Sequence, residues 1–169
     1  MSIRLLMTGN SVRNNTISCD SLGIHYDVSR NTETNVITVR RWDSESNTFF
    51  FVGEFHLFVF KHDQIRMGST GEWMLKRDYL YKEGSNPISS ARTFETKDGT
   101  KYRWKIRWDK LQLCHHASAN LGDEPLVIYH RHITGGKPSY LEVRDPSVMK
   151  ALDSIIVTFL IMEKEHRDD

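Results

Sequence analysis

The segment ALDSIIVTFLIMEKEHRDD at residues 151–169 restricts what this chain can fold into more than any other stretch. Asp145-Pro146-Ser147 reads as a helix start, because the aspartate can accept from the open amides of the first turn and a proline at the first helical position forfeits no bond. The spacing predicts one helix over about residues 146–166. Val148, Leu152, Ile155, Phe159 and Met162 make one apolar stripe, Ile156 and Leu160 a second, Val157 and Ile161 a third. From Ile155 to Met162 only Thr158 is not hydrophobic. A helix that is apolar all round must be covered all round. A lipid bilayer would need about 20 predominantly apolar residues. Here the run is cut short by Asp153 at one end and Glu163, Lys164 and Glu165 at the other, so no transmembrane segment is expected. The cover must be protein.

The rest of the chain supplies it. Before residue 145, short alternating runs broken by Asn, Gly, Asp and Ser point to an antiparallel, mainly β body. Twelve strands are expected, over about 3–7, 16–19, 24–29, 36–42, 48–60, 64–67, 72–75, 93–96, 101–108, 111–115, 126–133 and 140–143. Asp98-Gly99 suits a tight hairpin turn with both central residues at positive φ, and Asp109-Lys110 suits the next reversal. An eight-stranded barrel is filled by its own side chains, and a helix is about 10 Å wide. The expectation is therefore an antiparallel β-barrel of about twelve strands enclosing the carboxy-terminal helix. No repeat and no dividing linker interrupts it, so 1–169 reads as one domain.

Charge and cysteine content narrow the function classes. Lys plus Arg (23) nearly balance Asp plus Glu (22), so any attraction to a charged partner must come from a local patch. Cys19 and Cys114 are too few for a disulfide framework and read as reduced thiols. The amino-terminal apolar run is too short for a signal-peptide core. A cytoplasmic address, or a nuclear one, is expected, and no cofactor.

The segments VITVRRW, GEFH, TFETKDGTKYRWKIRW, VIYHRH and LDSIIVTFLIMEKEHR resemble a mostly fungal family of single-domain proteins of unknown function. Its most specific parts are the aspartate-glycine turn leading into Tyr102, Arg103, Trp104 and Lys105, and the helix with Asp153, Val157, Thr158, Phe159 and Glu163. More widely, a barrel wrapped round a hydrophobic helix is similar to the tubby-like superfamily, with the LURP-one-related proteins and phospholipid scramblases. That resemblance implies the fold and no activity. The chain lacks the proline-rich extension and the acidic calcium-type loop of scramblases.

Three constellations could carry function. In KYRWKIRW, Tyr102, Trp104, Ile106 and Trp108 share one strand face, while Lys101, Arg103, Lys105 and Arg107 share the other. The four cations stand about 6.6 Å apart, a spacing that suits successive phosphates or lipid headgroups. The bland alternative is a solvated wall paired with carboxylates such as Glu95 or Asp98. Single-stranded nucleic acid is disfavoured, since its bases need aromatics on the cationic face. Second, His130 and His132 share one strand face and could chelate a metal if His56, His115 or His116 completed the set. Equally, both could be half-buried histidines bonded to backbone. Third, the Phe-rich strand from Phe49 to Phe60 is apolar on both faces in places, which calls for cover, a bend or a protein partner. Cys114 beside His115 cannot act as a nucleophile–base pair, because adjacent strand residues face opposite ways. The leading expectation is a non-enzymatic intracellular module binding an anionic lipid or another anionic partner through Lys101, Arg103, Lys105 and Arg107. The alternatives are a small-molecule or metal-dependent enzyme at His130 and His132, and a protein-interaction module on the Phe-rich strand.

Overall fold

We describe a computed structural model covering residues 2–58, 60–118 and 124–168. Residue 59 of the expected 48–60 strand, and part of the loop expected at 117–125, lie outside the described residues. Twelve strands form in the expected order, but the expected 48–60 and 126–133 strands end early, at His56 and His130, and 72–75 is reduced to two residues. They are β1 (Ile3–Met7), β2 (Asn15–Cys19), β3 (Ile24–Arg30), β4 (Ile37–Asp43), β5 (Thr48–His56) and β6 (Gln64–Met67), then β7 (Met74–Leu75), β8 (Arg92–Glu95), β9 (Lys101–Arg107), β10 (Lys110–His115), β11 (Val127–His130) and β12 (Tyr140–Val143). A single turn of helix, α1 (Lys76–Tyr79), follows β7, and α2 (Leu152–Asp168) follows β12.

All twelve strands join one antiparallel sheet in the order β7-β6-β5-β4-β3-β2-β1-β12-β11-β10-β9-β8. This corrects the expectation of a closed barrel: the ladder stops at β7 and β8, which do not pair with each other. The reason lies in residues 68–92, where Gly68, Gly71, Gly84 and Pro87 interrupt any strand-length alternation. The gap is filled by other means. Tyr79 stacks over Phe94 with ring centroids 6.4 Å apart, and Leu80 is buried. Tyr81 makes an isolated two-bond bridge to Thr93, and the Lys76 ammonium meets Asp63 and Glu165.

The helix is enclosed as its composition requires. Ile155, Ile156, Val157, Phe159, Leu160, Ile161 and Met162 all sit in the core, each contributing about 1.5–3 kcal/mol of apolar burial. The Asp145 carboxylate accepts from the Ser147 amide at 2.9 Å, and residues Pro146–Ala151 form a 3-10 turn before the α-helix proper. Thr158, the one polar residue of the run, is fully buried. It accepts from Trp104 Nε1 at 2.8 Å and donates to the Ser154 carbonyl at 2.8 Å. Among the described residues no helix is long and apolar enough to cross a membrane.

Both hairpins flanking β9 differ from expectation. The β8–β9 reversal is a three-residue loop in which only Gly99 has positive φ (83°), with Gly99 N–H donating to Thr96 O at 3.0 Å. The β9–β10 reversal sits one residue earlier than read from sequence: Trp108 (φ 54°) and Asp109 (φ 57°) occupy its centre, and Arg107 pairs with Lys110. The β4–β5 register slips between Val39 and Arg40 of β4, leaving Val52 as an extra residue in β5. That bulge changes which side chains face inward and explains how one strand is apolar on both faces.

Candidate functional site

β9 crosses the helix by way of Tyr102 and Trp104, both buried, which forces the alternate residues outward. Lys101 is exposed, and Arg103, Lys105 and Arg107 are half-buried along their stems. Their register partners are Glu95 for Lys101, Thr93 and Cys114 for Arg103, Gln112 for Lys105 and Lys110 for Arg107. Among the described residues none of the four cations forms an ion pair. Asp98, a partner proposed from sequence, is held by Lys150 at 3.0 Å instead. Hydrogen bonds from Thr96, Lys150 and Thr100 hold the Asp98 carboxyl well below the usual carboxylate range. Arg103 is close enough to Glu83 for its charge to be felt there. The Glu83 carboxyl is lowered chiefly by its hydrogen bond with His116, at 2.7 Å, and to a smaller degree by the Arg103 charge.

The alternation fails at Trp108. Read from sequence it belongs to the core face with Tyr102 and Trp104; in the structure it is 80% exposed at the hairpin tip, with Arg107 Cζ 5.9 Å from its ring. A bulky residue in the left-handed region costs about 1–2 kcal/mol. The strand parity gives no warning of this.

The expected 126–133 strand stops at His130, so His132 lies two residues beyond β11 rather than beside His130 on one strand face, and each histidine finds its own partner. His130 Nε2 lies 2.7 Å from Glu142 Oε2, and the His130 ring stacks on Tyr140 with centroids 4.6 Å apart. Arg4 covers Tyr140 at 4.9 Å. His132 Nδ1 bonds the Pro138 carbonyl at 2.9 Å. His56, His115 and His116 are engaged elsewhere, against Phe58, Tyr102 and Glu83. Among the described residues no group of three or more metal-ligating side chains assembles. Glu142 was missed from sequence because it comes from the neighbouring strand, where only register places it opposite Ile128 and beside His130.

The Phe-rich strand is only partly covered. Phe55 is fully buried, whereas Phe49 and Phe50 are 39% and 46% exposed beyond the bulge. Of the cysteines, Cys114 is buried, its thiol donating to the Arg103 carbonyl, and neither is in a disulfide.

At the amino end of α2 the open seam leaves a cleft of about 530 Å³. Its walls are Phe51 and Met67 on one side and Glu95 to Asp98 on the other, over a floor including Ala151 and Ser154. Tyr26 donates to Asp153 at 2.5 Å and Arg41 reaches the same oxygen at 3.2 Å. Burial, then the Asp153 charge, drives the Tyr26 hydroxyl far above its ordinary range, so it stays protonated as the donor.

The architecture defines the class: a single antiparallel β-sheath, open along one seam, around a buried helix. Residues 10–168 match a family of unknown function, DUF6593, and the chain belongs to it. No curated protein and no solved structure matches the chain.

Proposed function

We propose that the protein is a non-enzymatic intracellular module whose β9 wall binds an anionic surface, with acidic membrane headgroups as the leading case. The observation that carries this reading is the row Lys101, Arg103, Lys105 and Arg107: cations on one outer face, without ion-pair partners among the described residues, ending in the exposed Trp108. Each Lys or Arg near an anionic membrane surface contributes about 1 kcal/mol. Tryptophan adds an amphipathic ring suited to the headgroup boundary. Contacts within the protein already hold the other basic groups considered: Lys150 with Asp98, Lys76 with Asp63 and Arg41 with Asp153. The likeness to tubby-like and LURP-one-related proteins rests only on strands wrapped round a hydrophobic helix and supports the reading by analogy of fold alone.

Sedimentation with vesicles containing phosphatidylserine or a phosphoinositide tests it. Retention is expected on anionic vesicles, absent on neutral ones, and weakened as salt rises from about 0.05 to 0.5 M, where screening shortens the reach of these charges. Retention that is equal on neutral vesicles, or indifferent to salt, rules the proposal out.

A further inference from the structure

On another part of the sheath, separated from β9 by β2, β1, β12, β11 and β10 in the strand order, the outer faces of β3, β4 and β5 bring three rings together. Trp42 and Phe49 are register partners across β4 and β5, their rings 5.0 Å apart and nearly perpendicular at 70°. His25, one residue along β3 from the Tyr26–Arg41 pair, sets its ring 6.2 Å from Phe49 at 53°. These tilted rings line a recess of about 410 Å³, whose remaining lining is Asp20, Gly23 and Ile24. Gly23 closes the 3-10 turn Asp20–Leu22 at φ 65°, its amide donating to the Asp20 carbonyl. Nothing lies within 4 Å of where a Cβ on Gly23 would stand, so the mouth is open on that side.

We propose that Trp42, Phe49 and His25, with the Asp20 carboxylate at the rim, form a binding site for a methylated ammonium cation. Aromatic faces carry negative quadrupole charge, and rings set at steep angles to one another can each present a face or edge to one cation, which methyl groups make cheap to strip of water. Two observations favour a cation over a merely apolar guest. The Asp20 carboxylate is exposed and makes no ion pair or hydrogen bond among the described residues. Elsewhere this protein lays its own cations over its rings, Arg4 on Tyr140, Arg66 on Phe51 and Trp73, Lys61 on Phe58 and Arg107 on Trp108. Among the described residues no cation of the chain occupies the Trp42–Phe49–His25 cluster. The site is independent of the β9 wall and survives or fails separately from it.

The test is titration of the full chain with choline chloride, following the Trp42 indole N–H by NMR, with 3,3-dimethylbutan-1-ol as the uncharged isostere. A saturable shift with choline, and binding of the isostere about tenfold weaker or worse, is expected. Asp20→Asn, which leaves the rings untouched, should weaken choline several-fold, and Phe49→Leu should abolish the saturable shift. The quadruple β9 charge-reversal variant should bind choline as the parent does. Equal response to choline and its isostere, no response to choline, or full affinity in both site variants overturns the proposal. Competition between free choline and phosphatidylcholine vesicles identifies the source of the ammonium group: vesicle-bound protein that loses its choline shift takes the cation from a headgroup, and unbound protein that keeps it takes the free molecule.

Discussion

The β9 wall and the β11–β12–β1 wall are built alike and behave differently. Both belong to one antiparallel ladder, both bury alternate side chains against α2, and both carry charged residues outside. On β11–β12–β1 the polar groups are consumed internally: His130 meets Glu142, His130 stacks on Tyr140, and Arg4 covers Tyr140. On β9 the facing positions across the ladder are Thr93, Cys114, Gln112 and Lys110, none of them a carboxylate, and Glu95 opposite Lys101 makes no ion pair with it. Strand alternation decides which side chains point outward. Register with the neighbouring strands decides whether their charges are spent.

The contrast breaks most sharply under charge reversal. Replacing Lys101, Arg103, Lys105 and Arg107 together by Glu should lower retention on anionic vesicles by about a hundredfold or more, while His130→Ala with Glu142→Ala leaves it unchanged. Equal losses in both variants would show that the two walls do not differ in the way described. Next in size is the shared floor. Thr158→Val strands the buried Trp104 indole N–H without an acceptor and should cost about 1–3 kcal/mol in urea unfolding, with vesicle retention per folded molecule unaltered. Smaller again, Trp108→Gly separates two roles of the hairpin tip. It relieves a left-handed tryptophan and should raise stability by about 1 kcal/mol, yet reduce vesicle retention several-fold.

The smallest effect concerns the Asp98–Lys150 pair beside Lys101. Asp98 is lowered in the folded state, so its contribution is present above its unfolded pKa of about 3.9 and disappears as pH falls through the lower folded value. Lys150 is raised, chiefly by its hydrogen bond with Asp98, so its contribution is present below about pH 10.4 and disappears as pH rises through the higher folded value. Both groups are exposed, and the gain is modest. Asp98→Asn should flatten the melting temperature against pH at both extremes while leaving Lys101 as unpaired as before.

The sequence makes α2 legible because burial on every side demands apolar residues on every side, a requirement no surface helix shares. The strands are legible for the related reason that one wet face and one dry face write a period of two. What stays hidden is everything that depends on register. Whether the sheet closes turns on residues 68–92, where a helical turn and one isolated bridge replace a ladder without leaving any period to read. Trp108 continues the inward parity of Tyr102 and Trp104 up to the residue at which the backbone turns left-handed. The four outward cations of β9 needed only the alternation and are placed as read. Their lack of partners, the His130–Glu142 contact and the ring cluster of His25, Trp42 and Phe49 each needed two or three strands laid side by side.

In chain order the helix at the centre of the sheath comes after all twelve strands. During synthesis, at about 5–20 residues per second, the strands emerge for several seconds with no hub to collapse upon, so their greasy sides and free edges are open to neighbouring nascent chains. Chaperone demand and yield on expression should therefore respond more to substitutions in Leu152–Asp168 than to those in any one strand.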